Sequence, residues 1–231
     1  MLETILPGGG FFVFMTRLVI FANGIIPGLG SARRLIQAGD VLIAADGGTR
    51  HILALGLFPS IVIGDLDSLT QDDRRQLEAK GVEIQQYSRD KDRTDLELAF
   101  HYACTGGYRE ILVIGALGGR LDQTLGNLSL LTNPEFATLN VRIDDGVEEA
   151  FITRDQCEVH GKPGDIVSLI PWSGEVSGVC TEGLHWPLQD ETLFPDKTRG
   201  ISNEMTCETA AISQKSGLLL VIHHRQAESS Q

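Results

Sequence analysis

Four short polar clusters in the first half of the chain carry the residue types that phosphate and metal chemistry needs. Asp65-Leu66-Asp67, with Ser68 behind it, places two carboxylates one residue apart, so both can converge on a divalent cation. Mg2+ takes one or two carboxylates and completes its shell with substrate phosphates. Asp46-Gly47-Gly48 adds a third acid and two glycines, which let backbone approach a ligand and offer N–H groups to phosphate oxygens. Asp90, Lys91, Asp92, Arg93, Thr94, Asp95 and Glu97 form a charge run in which bases can neutralise phosphate while acids hold a cation. Gly118-Gly119-Arg120 presents a guanidinium in a turn. Asp122, Gln123 and Asn127 follow, the last two spaced to share one helix face. Each cluster alone also fits a capped turn or a solvated charge run. The chain has no GxxxxGK[ST] loop, no GxGxxG fingerprint and no nucleophile–base–orienter set, so phosphate chemistry in it would use metal-bound acids.

The elements that would position these clusters alternate. Apolar runs at 18–22, 41–45, 61–63 and 111–114, with a weaker one at 82–85, read as buried parallel strands. Helical patterns fall at 31–38, 49–55, 70–80, 95–104 and 121–131. Thr70 and Asp95 sit where an N-cap or first-turn acid belongs, and Gly81 and Gly106 where helices stop. All four clusters sit where the strands end, which is where an open α/β sheet binds its ligands. Beyond about residue 145 the segments 148–153, 156–160, 165–169, 175–180, 204–213 and 217–223 are short, rich in β-branched residues and separated by turn signals. The expected architecture is an α/β parallel-sheet N-terminal domain over 15–145 followed by an all-β sandwich C-terminal domain over 146–225. His223 and His224 lie in a strand pattern and should face opposite sides, which argues against a metal site there.

Composition narrows the partners. The 231 residues include 31 acids and 19 bases, a formal net charge of −12, which disfavours nucleic acid and anionic membranes. The apolar stretch 11–22 is too short to span a bilayer, is interrupted by Arg17 and lacks a preceding base, so it reads as the first strand rather than a signal sequence. Met15, directly before that strand, is a candidate translation start. Cys104, Cys157, Cys180 and Cys207 form no CxxC pair and read as reduced, buried thiols of a cytoplasmic protein.

In this order and spacing the clusters resemble the thiamine pyrophosphokinase family. Asp46-Gly47-Gly48, Gly64 to Ser68, Lys91 to Asp95 and Gly119 to Gln123 with Asn127 carry the resemblance. Gly183-Leu184-His185-Trp186-Pro187-Leu188 and Gly200-Ile201-Ser202-Asn203-Glu204 extend it into the second part. The resemblance implies Mg2+-dependent transfer of a pyrophosphoryl group from ATP to thiamine, giving AMP and thiamine diphosphate. It also implies a nucleotide-binding catalytic first domain, a thiamine-binding second domain, and a homodimer with thiamine between the first domain of one subunit and the second domain of the other.

By motif, Asp65, Asp67 and Asp95 would hold Mg2+, with Asp46 close by. Asp46, Gly47, Gly48, Ser68, Lys91, Asp92, Thr94 and Arg120 would surround ATP. Asp122, Gln123, Asn127, Ser202 and Asn203 would lie near thiamine. Asp92, Arg120 and Asp122 would be catalytic, with Asp92 or Asp122 taking the hydroxyl proton. Two departures stand out: Gln123 occupies a position where many bacterial members carry His, and the last strand, Leu218 to Ile222, lacks the aromatic some members place near the thiamine ring. Trp186 is an aromatic in the right domain and fits a sandwich core equally well. The same acids would also serve metal-dependent hydrolysis of a phosphate ester, and a non-catalytic thiamine or nucleotide sensor is a third reading.

Overall fold

A computed structural model describes residues 16–90 and 92–227. Met15 and Lys91, both singled out from the sequence, lie outside the described residues. The chain alternates strand and helix through its first half: β1 (Leu18–Phe21), α1 (Leu29–Leu35), β2 (Val41–Ala45), α2 (Gly48–Ala54), β3 (Ile61–Gly64), α3 (Gln71–Ala79), β4 (Glu83–Gln86), α4 (Asp95–Thr105), β5 (Glu110–Ile114) and α5 (Leu121–Leu130). A 3-10 turn at Pro134–Phe136 leads into β6 (Asn140–Asp144). Strands follow: β7 (Glu148–Thr153), β8 (Gln156–His160), β9 (Ile166–Pro171), β10 (Val176–Glu182), β11 (Glu191–Leu193), β12 (Asn203–Glu204), β13 (Thr209–Ser213) and β14 (Leu219–His224).

The apolar runs form a parallel block in the order β6-β5-β1-β2-β3-β4. Its central strands are buried on both faces, and successive side chains serve two different cores. Leu18, Ile20, Ile43, Ile61, Ile63, Ile111 and Val113 pack with Leu96, Ala99, Phe100 and Ala103 of α4 on one face. Val19, Phe21, Leu42, Ala44, Val62, Leu112 and Ile114 pack with Ile52 of α2 and Leu77 of α3 on the other. That period-two division is why the runs read as continuous apolar segments rather than alternating ones. Helix starts are fixed by side chains. Thr70 accepts the Asp73 N–H while Asp73 accepts the Thr70 N–H, a reciprocal cap for α3, and Thr94 accepts the Glu97 N–H at the start of α4.

The second half is built onto the same sheet. β6 turns back as β7, and β14, β9 and β12 continue antiparallel, giving ten strands in the order β12-β9-β14-β7-β6-β5-β1-β2-β3-β4. The boundary expected near residue 145 therefore falls inside one continuous sheet. A separate four-stranded sheet, β11-β10-β13-β8, covers one face of the antiparallel part. Phe151, Val167, Leu169, Leu219 and Val221 of the large sheet meet Val159, Val176, Val179, Ala210 and Ile212 of the small one, so the sandwich is present and borrows one of its layers. On the opposite face Ala150 and Leu220 join the α4-side core, which runs uninterrupted across the change from parallel to antiparallel.

An ionic network holds that seam. Arg225 pairs with both oxygens of Asp144 at 2.8 Å, and Arg142 pairs with Glu149 at 2.7 Å. His223 is fully buried, with Nε2 3.0 Å from Asp165 and Nδ1 3.8 Å from Glu149, whereas His224 faces outward beside Glu148. The two histidines thus point to opposite sides, as their strand position requires. Burial alone would push the Glu149 carboxyl up, but the facing His223 ring and the guanidiniums of Arg142 and Arg225 hold it down at about 2. All four cysteines are free thiols. The expectation that they are buried is not met: Cys104, Cys157 and Cys180 are only partly buried, and Cys207 is exposed in the turn between β12 and β13. Among the described residues no helix is long and apolar enough to cross a membrane.

Candidate functional site

The chain runs from β1 to β2, β3 and β4 on one side, then crosses to β5 on the other side of β1. The loops after β1 and β5 must therefore diverge, which opens a crevice at the carboxyl ends of the strands. A cleft of about 540 Å³ occupies that position. Its walls come from Asn23 to Ile25 after β1, Asp46 after β2, Asp65 after β3, Arg93 to Leu96 at the start of α4, and Gly115, Ala116 and Gly118 to Arg120 after β5. Gln123 and Asn127 enter from α5, so the two residues expected to share a helix face do share the cleft.

The acids meet beside Gly64. Asp46 has a left-handed backbone (φ 44) and is 8% exposed. Its main chain is tied on both sides, the N–H to the Ile63 carbonyl at 2.8 Å and the carbonyl to the Thr49 hydroxyl at 2.8 Å. That leaves the carboxylate aimed by the backbone, and its Oδ1 is buried with no hydrogen-bond partner among the described residues. Leu66 is also left-handed (φ 65) and buries its side chain in the α2–α3 core. With the middle residue anchored inward, both flanking carboxylates turn outward, and Asp65 accepts the Asp67 N–H at 3.1 Å. One ligand atom each from Asp46, Asp65 and Asp67 falls within 4.8 Å of the others. A Cβ added at Gly64 would stand 2.8 Å from Asp46 Cβ and 3.2 Å from Asp95 Oδ1, so Asp95 borders the same point. Backbone strain in two non-glycine residues is a cost that persists where the surroundings enforce it, commonly at functional sites.

Gathered carboxylates repel one another, and a buried carboxylate oxygen without a donor is costly. Both costs fall when a hard cation sits among them, and oxygen-only donors of this charge suit Mg2+. The residues present therefore fit a divalent metal site formed by Asp46, Asp65 and Asp67, with Asp95 adjoining.

The remaining expected residues divide. Arg120 lines the cleft, and its guanidinium is held by both oxygens of the exposed Asp122. Thr94 lines it as well, with its hydroxyl accepting from α4. Asn127 donates to the Ala116 carbonyl at 2.9 Å and so steadies the loop after β5. Ser68 Oγ is buried without a partner among the described residues. Asp92 is exposed outside the cleft lining. Gly47 and Gly48 are buried outside the lining, and both are needed for close approach: a Cβ at Gly48 would run into the Phe21 carbonyl, and one at Gly47 into the Asn23 side chain. That packing exposes Asn23, which sequence reasoning missed. Arg50 donates to its Oδ1 at 3.0 Å, and His51 Nε2 lies 2.9 Å from the neighbouring Gly24 carbonyl. The signal was available, because Asn23 directly follows an apolar strand, as Asp46 and Asp65 do. Arg93, from the charge run, lines the cleft; Arg89 was missed, lines it as well and lies 3.9 Å from Asp67.

Ser202 and Asn203 are elsewhere. They line a second cleft of about 710 Å³ together with Trp186, Leu188 and residues 197–201, and no residue lines both clefts. Asn203 accepts from the Trp186 N–H at 3.0 Å and donates to the Trp186 carbonyl at 2.7 Å, fixing that loop. Ser202 is left-handed (φ 56), its N–H bound to Ser168 Oγ. Trp186 is 51% exposed, with its ring edge-to-face on His185, and so is not sandwich core. β12, which carries Asn203, is six strand positions from β1. At roughly 4.8 Å per position that is about 29 Å across the sheet.

Residues 32–143 match the family model described as thiamin pyrophosphokinase, catalytic domain, and residues 153–219 match that described as thiamin pyrophosphokinase, vitamin B1 binding domain. The thiamine pyrophosphokinase of Bacillus subtilis (strain 168) is 30% identical over 188 residues, spanning 78% of this chain and 85% of that protein. Thiamine pyrophosphokinase 1 of Oryza sativa subsp. japonica is 27% identical over 216 residues, 85% of this chain and 77% of that protein. The crystal structure of the Bacillus subtilis enzyme superposes with a TM-score of 0.83 at 26% identity, covering 92% of this chain and 100% of that one.

Proposed function

Because the chain belongs to the thiamin pyrophosphokinase family, we propose that it makes thiamine diphosphate by moving a pyrophosphoryl group from ATP to the hydroxyl of thiamine, with Mg2+ and with AMP as the other product. The observation that carries the proposal is the switch-point cleft, where Asp46, Asp65 and Asp67 converge and a buried Asp46 oxygen lacks a donor.

In this reading the thiamine hydroxyl oxygen forms a bond to the β-phosphorus of ATP, and the bond from that phosphorus to the α–β bridging oxygen breaks. AMP leaves with the bridging oxygen. The hydroxyl proton goes to a carboxylate, and Asp122 is better placed than Asp92 because it adjoins Arg120 and Gln123 of the cleft wall. Asp46, Asp65 and Asp67, with Asp95 adjoining, would hold Mg2+, which when bound would neutralise polyphosphate charge. Arg120, Arg89 and Arg93 add positive charge around the phosphates, while the anchored backbone of Asp46 and Leu66 keeps the acids from reorganising. Lys91 belongs to the same set by motif.

Thiamine binds to the Ser202–Asn203 cleft with Gln123 and Asn127 opposite, and this requires two chains. A separation of about 29 Å across one sheet is more than a thiamine can bridge. A homodimer in which one subunit's acid cleft faces the other's second cleft completes the site. Exposed Ile25, Leu121 and Leu125 near the first cleft, and Trp186, Phe194 and Ile201 near the second, give both surfaces apolar contacts. The sheet is continuous, yet residues 15–145 and 146–225 remain a nucleotide-handling part and a thiamine-handling part. The cleft chemistry is that of a small-molecule enzyme, with neither nucleic acid nor membrane as partner, and the cytoplasm supplies both substrates.

Replacing Asp67 with Asn tests the metal assignment. Turnover should fall at least about a hundredfold, as when one transition-state charge contact is lost. Asp67 is exposed, so the melting temperature should hold. Wild-type turnover in Asp67→Asn would remove Asp67 from the site.

A further inference from the structure

Arg120 already has its guanidinium occupied. Nε and Nη2 donate to Oδ1 and Oδ2 of Asp122 at 3.1 and 2.5 Å. The two partners differ in how firmly they are held. Asp122 sits in the first turn of α5, where its Oδ1 also accepts the Gln123 N–H at 3.0 Å. Arg120 is the residue before that helix, follows two left-handed glycines (φ 73 and 74), and makes no side-chain cap. Both side chains are largely solvent-exposed, 74% and 64%. An exposed pair of this kind holds weakly against a competing ligand. A phosphate offers the same two-oxygen face with more charge, and the guanidinium fork matches it as well as it matches a carboxylate. Arg120 is also the member of the pair that lines the cleft.

We propose that Arg120 exchanges partners during the reaction: Asp122 holds it before substrate arrives, the polyphosphate takes it over, and the carboxylate so released accepts the thiamine hydroxyl proton. This rests on the pyrophosphoryl-transfer reading above and adds to it an order of events. While paired, the Asp122 carboxyl is kept below the usual aspartate range, chiefly by the hydrogen bond from Arg120, and is a poor base. Once Arg120 turns to phosphate, that restraint is gone. The base therefore develops only when the donor nucleotide is in place.

The test is a 13C titration of the Asp122 carboxyl in the full chain, its signal assigned by its disappearance in Asp122→Asn. Spectra are taken with Mg2+ alone and with Mg2+ plus inorganic tripolyphosphate. Exchange requires the midpoint to start below that of an ordinary aspartate and to move up with tripolyphosphate. A nearby anion would raise it through space as well, so Arg120→Gln is run in parallel. There the midpoint should begin higher, and tripolyphosphate should move it much less. An unmoved midpoint in the wild type overturns the exchange, as does an equal rise in Arg120→Gln. Product formation from ATP and thiamine is measured on the same wild-type sample. Thiamine diphosphate with an unmoved Asp122 sinks the exchange and spares the reaction. A moved Asp122 with no thiamine diphosphate supports the exchange of partners but sinks the reaction, and with it the proton transfer from thiamine.

Discussion

Gly64 is where the geometry of the acid cluster is most exposed to a single methyl group. In Gly64→Ala the new Cβ would lie 2.8 Å from Asp46 Cβ and 3.2 Å from both Asp46 Cα and Asp95 Oδ1. Carbon atoms rest at about 3.5–4.0 Å, so Asp46 or the strand must give by about 0.7–1.2 Å. Asp46 cannot yield by rotating alone, because its main chain is bonded to Ile63 and Thr49. Overpacking of this kind costs about 1–3 kcal/mol. For a chain of this size each kcal/mol lowers the melting temperature by roughly 2–4 °C. A displacement near 1 Å in a catalytic group reduces turnover by about a hundredfold. The assay is a thermal melt followed by circular dichroism, paired with initial rates of thiamine diphosphate formation at saturating substrates. Both losses should appear together. Full turnover in Gly64→Ala would refute the idea that the missing side chain at this position sets the spacing of Asp46 and Asp95.

Gly126 provides the opposite case, since a Cβ there meets nothing within 4 Å in the middle of α5. Gly126→Ala should stabilise the fold by about 0.5–1 kcal/mol in a urea melt. Glu149→Gln tests the seam. The native carboxyl is held at about 2 against an ordinary 4.5, which is stability present above 4.5 and lost as pH falls towards 2. That difference corresponds to about 3 kcal/mol. The stability gap between wild type and variant should close as pH drops through this window, and a gap independent of pH would contradict the assignment. Mixing Asp67→Asn with Asn203→Ala tests the shared site: random dimers should regain about a quarter of wild-type turnover, because half are mixed and each mixed dimer has one intact site. No recovery would contradict pairing across the interface.

What was legible in the sequence follows from how local its cause is. The parallel strands declared themselves because Leu18, Val19, Ile20 and Phe21 are all buried, in two cores, and so leave an unbroken apolar run. β6 did not, because Asn140, Arg142 and Asp144 interrupt it; the partners that make those charges tolerable, Glu149 on the next strand and Arg225 near the end of the described chain, appear only once the strands pair. β11 and β12, of three and two residues, carry too short a pattern to read. Nothing in an antiparallel segment says which neighbour it pairs with, so the joining of the sandwich layer to the α/β sheet was hidden. In the site, Asp46, Asp65 and Asp67 were readable as acids directly after buried strands. The packing role of Gly47 and Gly48, and through it the placement of Asn23, depends on how closely α2 approaches β1. For Ser202 and Asn203 only the family resemblance, with its site shared between two subunits, hinted that one chain keeps them apart from the acids; no local pattern did.

The central claim is that this cleft transfers a pyrophosphoryl group between two small molecules. Purified protein incubated with Mg-ATP and thiamine, with AMP and thiamine diphosphate quantified in the same time course, tests it most directly. The account predicts equal amounts of the two products, dependent on both thiamine and Mg2+. AMP or ADP released without thiamine diphosphate, at a rate indifferent to thiamine, would contradict it and identify the acid cluster as that of a hydrolase.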